Sequence, residues 1–144
     1  MLKNIPPILG PDLLGILRAM GHGDEIAIVD ANYPADSAGP ALIRLDGVSA
    51  TDALDAVLTL MPLDTFVDDA AFCMQVVGNA SKREPVMDQF ETIVKQHEPE
   101  MHLASLERFA FYDRVKQAYA IVQTGERRLY GNVLLKKGII RPDA

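Results

Sequence analysis

Apolar positions along the chain follow two rhythms, one helical and one strand-like. Leu13, Leu14, Leu17 and Met20 share one face at helical steps, after Pro11 and Asp12 in a first turn. A helix is predicted over 11–20, with Gly21 as its C-terminal glycine. Residues 25–30 form a short apolar run that reads as a buried strand, and 41–45 form a second, closed by an Asp46-Gly47 turn. The stretch 31–40 holds two prolines, a glycine, a serine and an asparagine, and reads as a loop. Ser49 or Thr51 caps a second helix, which reaches about Leu60 with Leu54, Val57 and Leu58 inward before Pro62 stops it. A third strand is predicted over 71–77, ended by Gly78-Asn79. A third helix opens near Pro85 and carries Met87, Phe90, Ile93 and Val94 inward. Residues 103–108 read as a short strand. Residues 109–117 read as a helix, although the run Phe109-Ala110-Phe111-Tyr112 also fits a strand. Strands follow over 119–124 and 132–136, separated by a turn over 125–130. Strands alternating with helices predict an α/β protein, a three-layer α/β/α sandwich. The link between the last two strands is too short for a parallel crossover, so the sheet is expected to be mixed but mainly parallel.

Composition narrows the field. The chain has 144 residues and is expected to form a single domain over 1–144, long enough for a substantial core. It carries 14 Lys and Arg against 20 Asp and Glu, a net charge of −6, which argues against nucleic acid as a partner. The lone cysteine, Cys73, rules out an internal disulfide framework and a cysteine-rich zinc site. It lies in an apolar run and is expected to be inert core. No apolar run reaches 18 residues and the start of the chain has no leader-like stretch, so the expectation is a cytoplasmic protein with no membrane partner. There are four tyrosines, five phenylalanines and no tryptophan, so each tyrosine is worth locating.

The densest polar cluster is Gly21-His22-Gly23-Asp24-Glu25, with Asp30 at the far end of the following strand. A histidine between glycines is open to a ligand and titrates near neutrality, which suits a general acid or base. By spacing alone the commoner reading is a surface-loop histidine beside acids. His22, Asp24, Glu25 and Asp30 could supply mixed metal ligands, but Asp24 and Glu25 diverge if a strand begins there, and no metal is expected. Asp30 ends a strand, where clefts open in α/β sheets; the alternative is a turn aspartate bonding its own backbone. Arg108 closes the predicted strand over 103–108, as a ligand group, a solvated charge or a partner of Asp113. Tyr130-Gly131-Asn132 opens the last strand, and by itself reads as a hairpin turn. Gly21-x-Gly23 precedes a strand, so it is no dinucleotide fingerprint. Arg127-Arg128 and Lys136-Lys137 read as solvated ends.

Taken together, Gly21-His22-Gly23-Asp24-Glu25-Ile26, Asp30-Ala31-Asn32-Tyr33-Pro34-Ala35, Arg108-Phe109-Ala110-Phe111-Tyr112, Thr124-Gly125-Glu126 and Tyr130-Gly131-Asn132-Val133-Leu134-Leu135-Lys136-Lys137-Gly138 resemble the L-fucose mutarotase and D-ribose pyranase family, in order and over nearly the whole chain. The chain is more similar to the fucose branch. The ribose branch typically has histidine where Arg108 stands and lacks the aromatic-Pro-Ala seen as Tyr33-Pro34-Ala35. The resemblance implies a catalytic role for His22, and for Tyr130 as proton donor or relay. It implies sugar binding by Asp30, Arg108, Tyr130, Gly131 and Asn132. It also implies a ring-like homo-oligomer, often a decamer, with sugar sites near subunit contacts. The segment 79–102 carries no family signature. The implied activity is interconversion of the α and β anomers of L-fucose or a close monosaccharide, which needs neither cofactor nor metal. Ribose-type pyranose–furanose exchange and a non-catalytic sugar-binding module are the alternatives.

Overall fold

The computed structural model describes residues 1–143. Four helices and six strands follow in the order α1 (Pro11–Ala19), β1 (Glu25–Val29), β2 (Ala41–Leu45), α2 (Ala50–Leu60), β3 (Ala71–Met74), α3 (Pro85–His97), β4 (Ala104–Leu106), α4 (Arg108–Lys116), β5 (Ala120–Thr124) and β6 (Val133–Lys136). The strands form one sheet in the order β2-β5-β1-β6-β3-β4. Only β6 runs against the others, pairing antiparallel with both β1 and β3.

Alternation along the strands sorts the core into two layers. Ile26 and Ile28 of β1 pack with Leu13 and Leu17 of α1, Leu54 and Val57 of α2, and Phe90 and Val94 of α3. Ala27 and Val29 face the other way, against Phe111 and Val115 of α4 and the loop residue Tyr33. The sheet is therefore covered on both faces, which is why β1 is buried from Ile26 to Val29 and β5 along its whole length, rather than at alternate residues. This is the predicted α/β/α sandwich with a mixed, mainly parallel sheet.

Several boundaries differ from expectation. Ser49 rather than Thr51 caps α2, its hydroxyl accepting from the Asp52 N–H at 3.1 Å. Gly21 is not a left-handed helix terminator: α1 ends at Ala19 with Met20 as its C-cap, and the Lys137 ammonium donates to the Leu17 and Met20 carbonyls. Lys137 is thus a helix cap and not a solvated end, and burial pushes its ammonium below its ordinary range. β3 stops at Met74, where its pairing with β4 runs out, and residues 76–79 form a tight turn instead. Arg108 does not close a strand. The Glu107 carboxylate accepts from the Phe109 and Ala110 N–H groups, which starts a helix with Arg108 as its first residue. The last two strands are antiparallel in direction but are not neighbours, since β1 lies between them.

That last point positions the site. Leaving β5, residues 125–132 must cross the C-terminal end of β1 to enter the sheet on its far side. Tyr130, Gly131 and Asn132 are thereby laid over Asp30.

Candidate active site

Asp30 follows β1 directly and is 6% exposed. Its backbone N–H donates to Asn132 Oδ1 at 2.9 Å, across the sheet end, and its Oδ1 accepts from the Asn32 N–H at 3.0 Å. Burial pushes the Asp30 carboxyl above its ordinary range, against opposing hydrogen bonds from Asn32, Asn132, Gly131 and Tyr33. Tyr33, also 6% exposed, packs edge-on to Tyr112 with ring centres 5.2 Å apart. Burial first, then Tyr112 and Asp30, push its phenol far above the usual value, so it stays protonated and can donate.

Arg108 joins them from the start of α4. Its guanidinium lies 4.5 Å from the centre of the Phe109 ring, and its Nε is buried with no hydrogen-bond partner among the described residues. A buried orphan donor is costly unless something accepts from it. Tyr130 completes the wall in a left-handed backbone conformation, φ 62°, and its hydroxyl accepts from the Val77 N–H at 3.1 Å. Asp30, Asn32, Tyr33, Arg108, Tyr130 and Asn132 line one cleft of about 240 Å³, with Met74, Val77, Tyr112 and Leu129. Gly131 sits at its edge. A Cβ there would lie 2.7 Å from Glu126 Cγ, 3.2 Å from the Arg128 carbonyl oxygen and 3.5 Å from Asp30 Cβ, so only bare backbone fits.

Glu126 and Arg128 hold this crest in place. Arg128 Nε and Nη2 donate to the Glu126 carboxylate at 3.1 and 2.7 Å, and Nη1 donates to Gln89 Oε1 at 2.8 Å. The Arg128 contact outweighs desolvation and holds the Glu126 carboxyl below its usual range. Arg128, expected to be a solvated end, is a brace.

His22 lies elsewhere. It precedes β1 whereas Asp30 follows it, so the full strand, about 16 Å at roughly 3.3 Å per residue, separates them. Its Nε2 meets Asp64 Oδ1 at 2.9 Å, and its ring lies 5.2 Å from that of Phe66. Asp64 is 3% exposed. Desolvation pushes its carboxyl up, but the Phe66 N–H, the His22 ring and Lys136 together pull it below the ordinary range. An ionised carboxylate only accepts, so Nε2 carries the proton and Nδ1 is left as the basic nitrogen. Asp24 accepts from the Gly21 N–H and Glu25 pairs with Arg114, so the acidic neighbours of His22 diverge from it. Asp64 and Val77 carried no readable signal in the sequence. Each gains its role only from a partner 42 or 53 residues away.

A larger groove of about 520 Å³ lies at the His22 end, lined by residues such as Leu2, Leu14, Leu60, Met61, Pro62 and Ile140. It is mainly apolar; its charged lining residues are Arg18 and Lys137, and the Lys137 ammonium is already engaged by the Leu17 and Met20 carbonyls. Asp30, Arg108, Tyr130 and Asn132 converge on the smaller cleft instead.

Carboxyl, amide, guanidinium and phenol groups converging between aromatic walls define an α/β/α protein built to hold a small polyhydroxylated molecule. The chain belongs to the RbsD / FucU transport protein family, whose profile matches residues 3–140. It is 45% identical to the fucose mutarotase of Danio rerio, over 99% of this chain and 97% of that protein. It is 46% identical to the fucose mutarotase of Homo sapiens, over 96% of this chain and 94% of that one. The crystal structure of the Streptococcus pneumoniae fucose mutarotase in complex with L-fucose superposes with a TM-score of 0.89 at 44% identity, covering 97% of this chain and all of that one.

Proposed function

We propose that this protein is a sugar mutarotase that interconverts the α and β anomers of L-fucose or a close relative. The observation that carries the reading is the convergence of Asp30, Arg108, Tyr130 and Asn132 on one cleft. Similarity to proteins named fucose mutarotase supports it.

Anomer exchange opens and recloses a hemiacetal. The O1 proton leaves, the bond from C1 to the ring oxygen breaks, C1=O1 forms, and the ring oxygen gains a proton. A half-turn about C1–C2 presents the other carbonyl face, and the steps reverse. No electrons or groups are exchanged with a co-reactant, so two proton-handling groups and a set of hydroxyl ligands suffice. Tyr130 gives its phenolic proton to the ring oxygen. His22 Nδ1 takes the O1 proton, with Asp64 steadying the imidazolium that forms. Asp30, Arg108, Asn132 and the Gly131 backbone hold the hydroxyls.

His22 cannot reach the cleft of its own chain, so a second copy supplies it. Apolar groups exposed at the His22 end, among them Leu2, Phe66 and Ile140, and at the cleft rim, among them Val77, Phe109 and Leu129, suit such a contact. Two unlike patches meeting head to tail close into a ring of identical subunits.

Proton NMR of exchanging anomeric signals tests the reading. L-Fucose is expected to exchange far faster with protein than in buffer, and faster than D-ribose interconverts between pyranose and furanose. Buffer-rate exchange together with sugar binding would leave a non-catalytic binding module, and preference for ribose would assign the pyranase reaction.

A further inference from the structure

Residues 76–79 read in the sequence only as the end of a strand and its stop, yet they touch the group assigned as proton donor. The Asn79 N–H closes a turn on the Val76 carbonyl at 3.1 Å, and Gly78 stands at φ +77° while Val77 is not left-handed. This is type II geometry, with Val77 and Gly78 as its two central residues. In such a turn the first central N–H has no partner inside the turn. Here it donates to Tyr130 Oη at 3.1 Å. The Val77 side chain is 54% exposed, so burial does not hold the residue; the turn does.

The consequence is chemical. A tyrosine hydroxyl accepts through its lone pairs and donates its one proton elsewhere. With the Val77 N–H on one lone pair, the rotor is restricted and its proton is left to point into the cleft that Tyr130 lines. When that proton passes to the sugar's ring oxygen, Oη becomes anionic and the N–H already faces the new charge. A fixed dipole aimed at developing charge needs no reorganisation during the reaction.

We infer that the turn over residues 76–79 is a positioning element, whose Val77 amide orients the Tyr130 hydroxyl and stabilises the phenolate formed as it gives up its proton. The inference rests on the assignment of Tyr130 as proton donor in anomer exchange.

Val77→Pro tests it, because proline suits the first central position of a type II turn but has no N–H. With L-fucose, the saturated exchange rate is expected to fall about 10- to 100-fold with little change in apparent affinity, the range for a donor to developing charge. In a Tyr130→Phe background the same substitution is expected to cost nothing further. Equal losses in both backgrounds, a loss confined to affinity, or wild-type exchange would each overturn the inference.

Gly78→Ala provides a second route if the proline variant does not fold. No atom lies within 4 Å of the new Cβ, so only the backbone conformation of the turn is opposed. Its loss of rate is likewise expected to vanish in the Tyr130→Phe background, and persistence there would count against the turn's role. Independently of turnover, the Val77 amide proton resonance is expected to move upfield in Tyr130→Phe; an unmoved resonance would mean that the hydrogen bond is absent in solution. Buffer-rate exchange by the wild-type protein would instead remove the mutarotase reading itself.

Discussion

Asp64 has no neighbours in sequence that mark it, yet it fixes which nitrogen of His22 is basic. Its carboxylate accepts from the Phe66 N–H at 3.0 Å and from the His22 ring at 2.9 Å. Asp64→Asn keeps the shape but replaces an acceptor-only group with one that also donates. The wrong tautomer of His22 then becomes accessible and the imidazolium loses its counter-charge. Saturated exchange is expected to drop about 10²-fold or more while sugar affinity at the cleft stays near wild type, as read by NMR exchange and calorimetry. Retention of wild-type rate would remove Asp64 from the mechanism. The position of Asp30 was legible, by contrast, since it ends an apolar strand where clefts open in an α/β sheet, but the alternative open for it is met as well, because its carboxylate bonds the Asn32 N–H two residues on at 3.0 Å. Arg108 was legible as a residue but not in its placement. Whether it closes a strand or opens a helix depends on Glu107 capping two amides, a choice that the aromatic run after it leaves balanced.

At the level of elements, the decisive one is β6. Its apolar pattern announced a strand, and the short link announced that it runs opposite to β5. Its insertion between β1 and β3 depends on which edges are free once the other strands have paired, which is a property of the assembled sheet. The crossing loop over residues 125–132 inherits its shape from this insertion. Gly131→Ala is expected to break the crest, because Glu126 is pinned by Arg128 and cannot yield to a Cβ 2.7 Å away. A fall in L-fucose affinity of about tenfold or more is expected by calorimetry, with a lowered melting temperature. Glu126 also makes the loop sensitive to acid. Its folded carboxyl lies below the ordinary 4.5, so as pH falls under about 4.5 the unfolded chain takes up the proton before the native one does. Its contribution to stability is therefore full above that value and lost as pH drops through the folded value. Glu126→Gln is expected to flatten the dependence of urea midpoints on pH in that window, and an unaltered slope would mean that the Arg128 contact is not made in solution.

For the whole molecule, the separation of His22 from the cleft is the strongest constraint. They stand at opposite ends of β1, which is too stiff and too buried to bend them together, since four of its five residues are 0% exposed. Either His22 has no part in the chemistry or the working site joins two copies. Subunit mixing separates these cases. His22→Asn retains an intact cleft, and Tyr130→Phe retains an intact His22–Asp64 pair. Each alone is expected to be nearly inactive in NMR exchange. If they are unfolded together in equal amounts and reassembled, a cleft with tyrosine meets a neighbour with histidine at about one contact in four, so about a quarter of wild-type exchange should return. A site confined to one chain would give a mixture as inactive as its parts. A His22→Asn protein that is fully active by itself would remove His22 from the reaction, and with it the chemical reason for a second copy at the cleft.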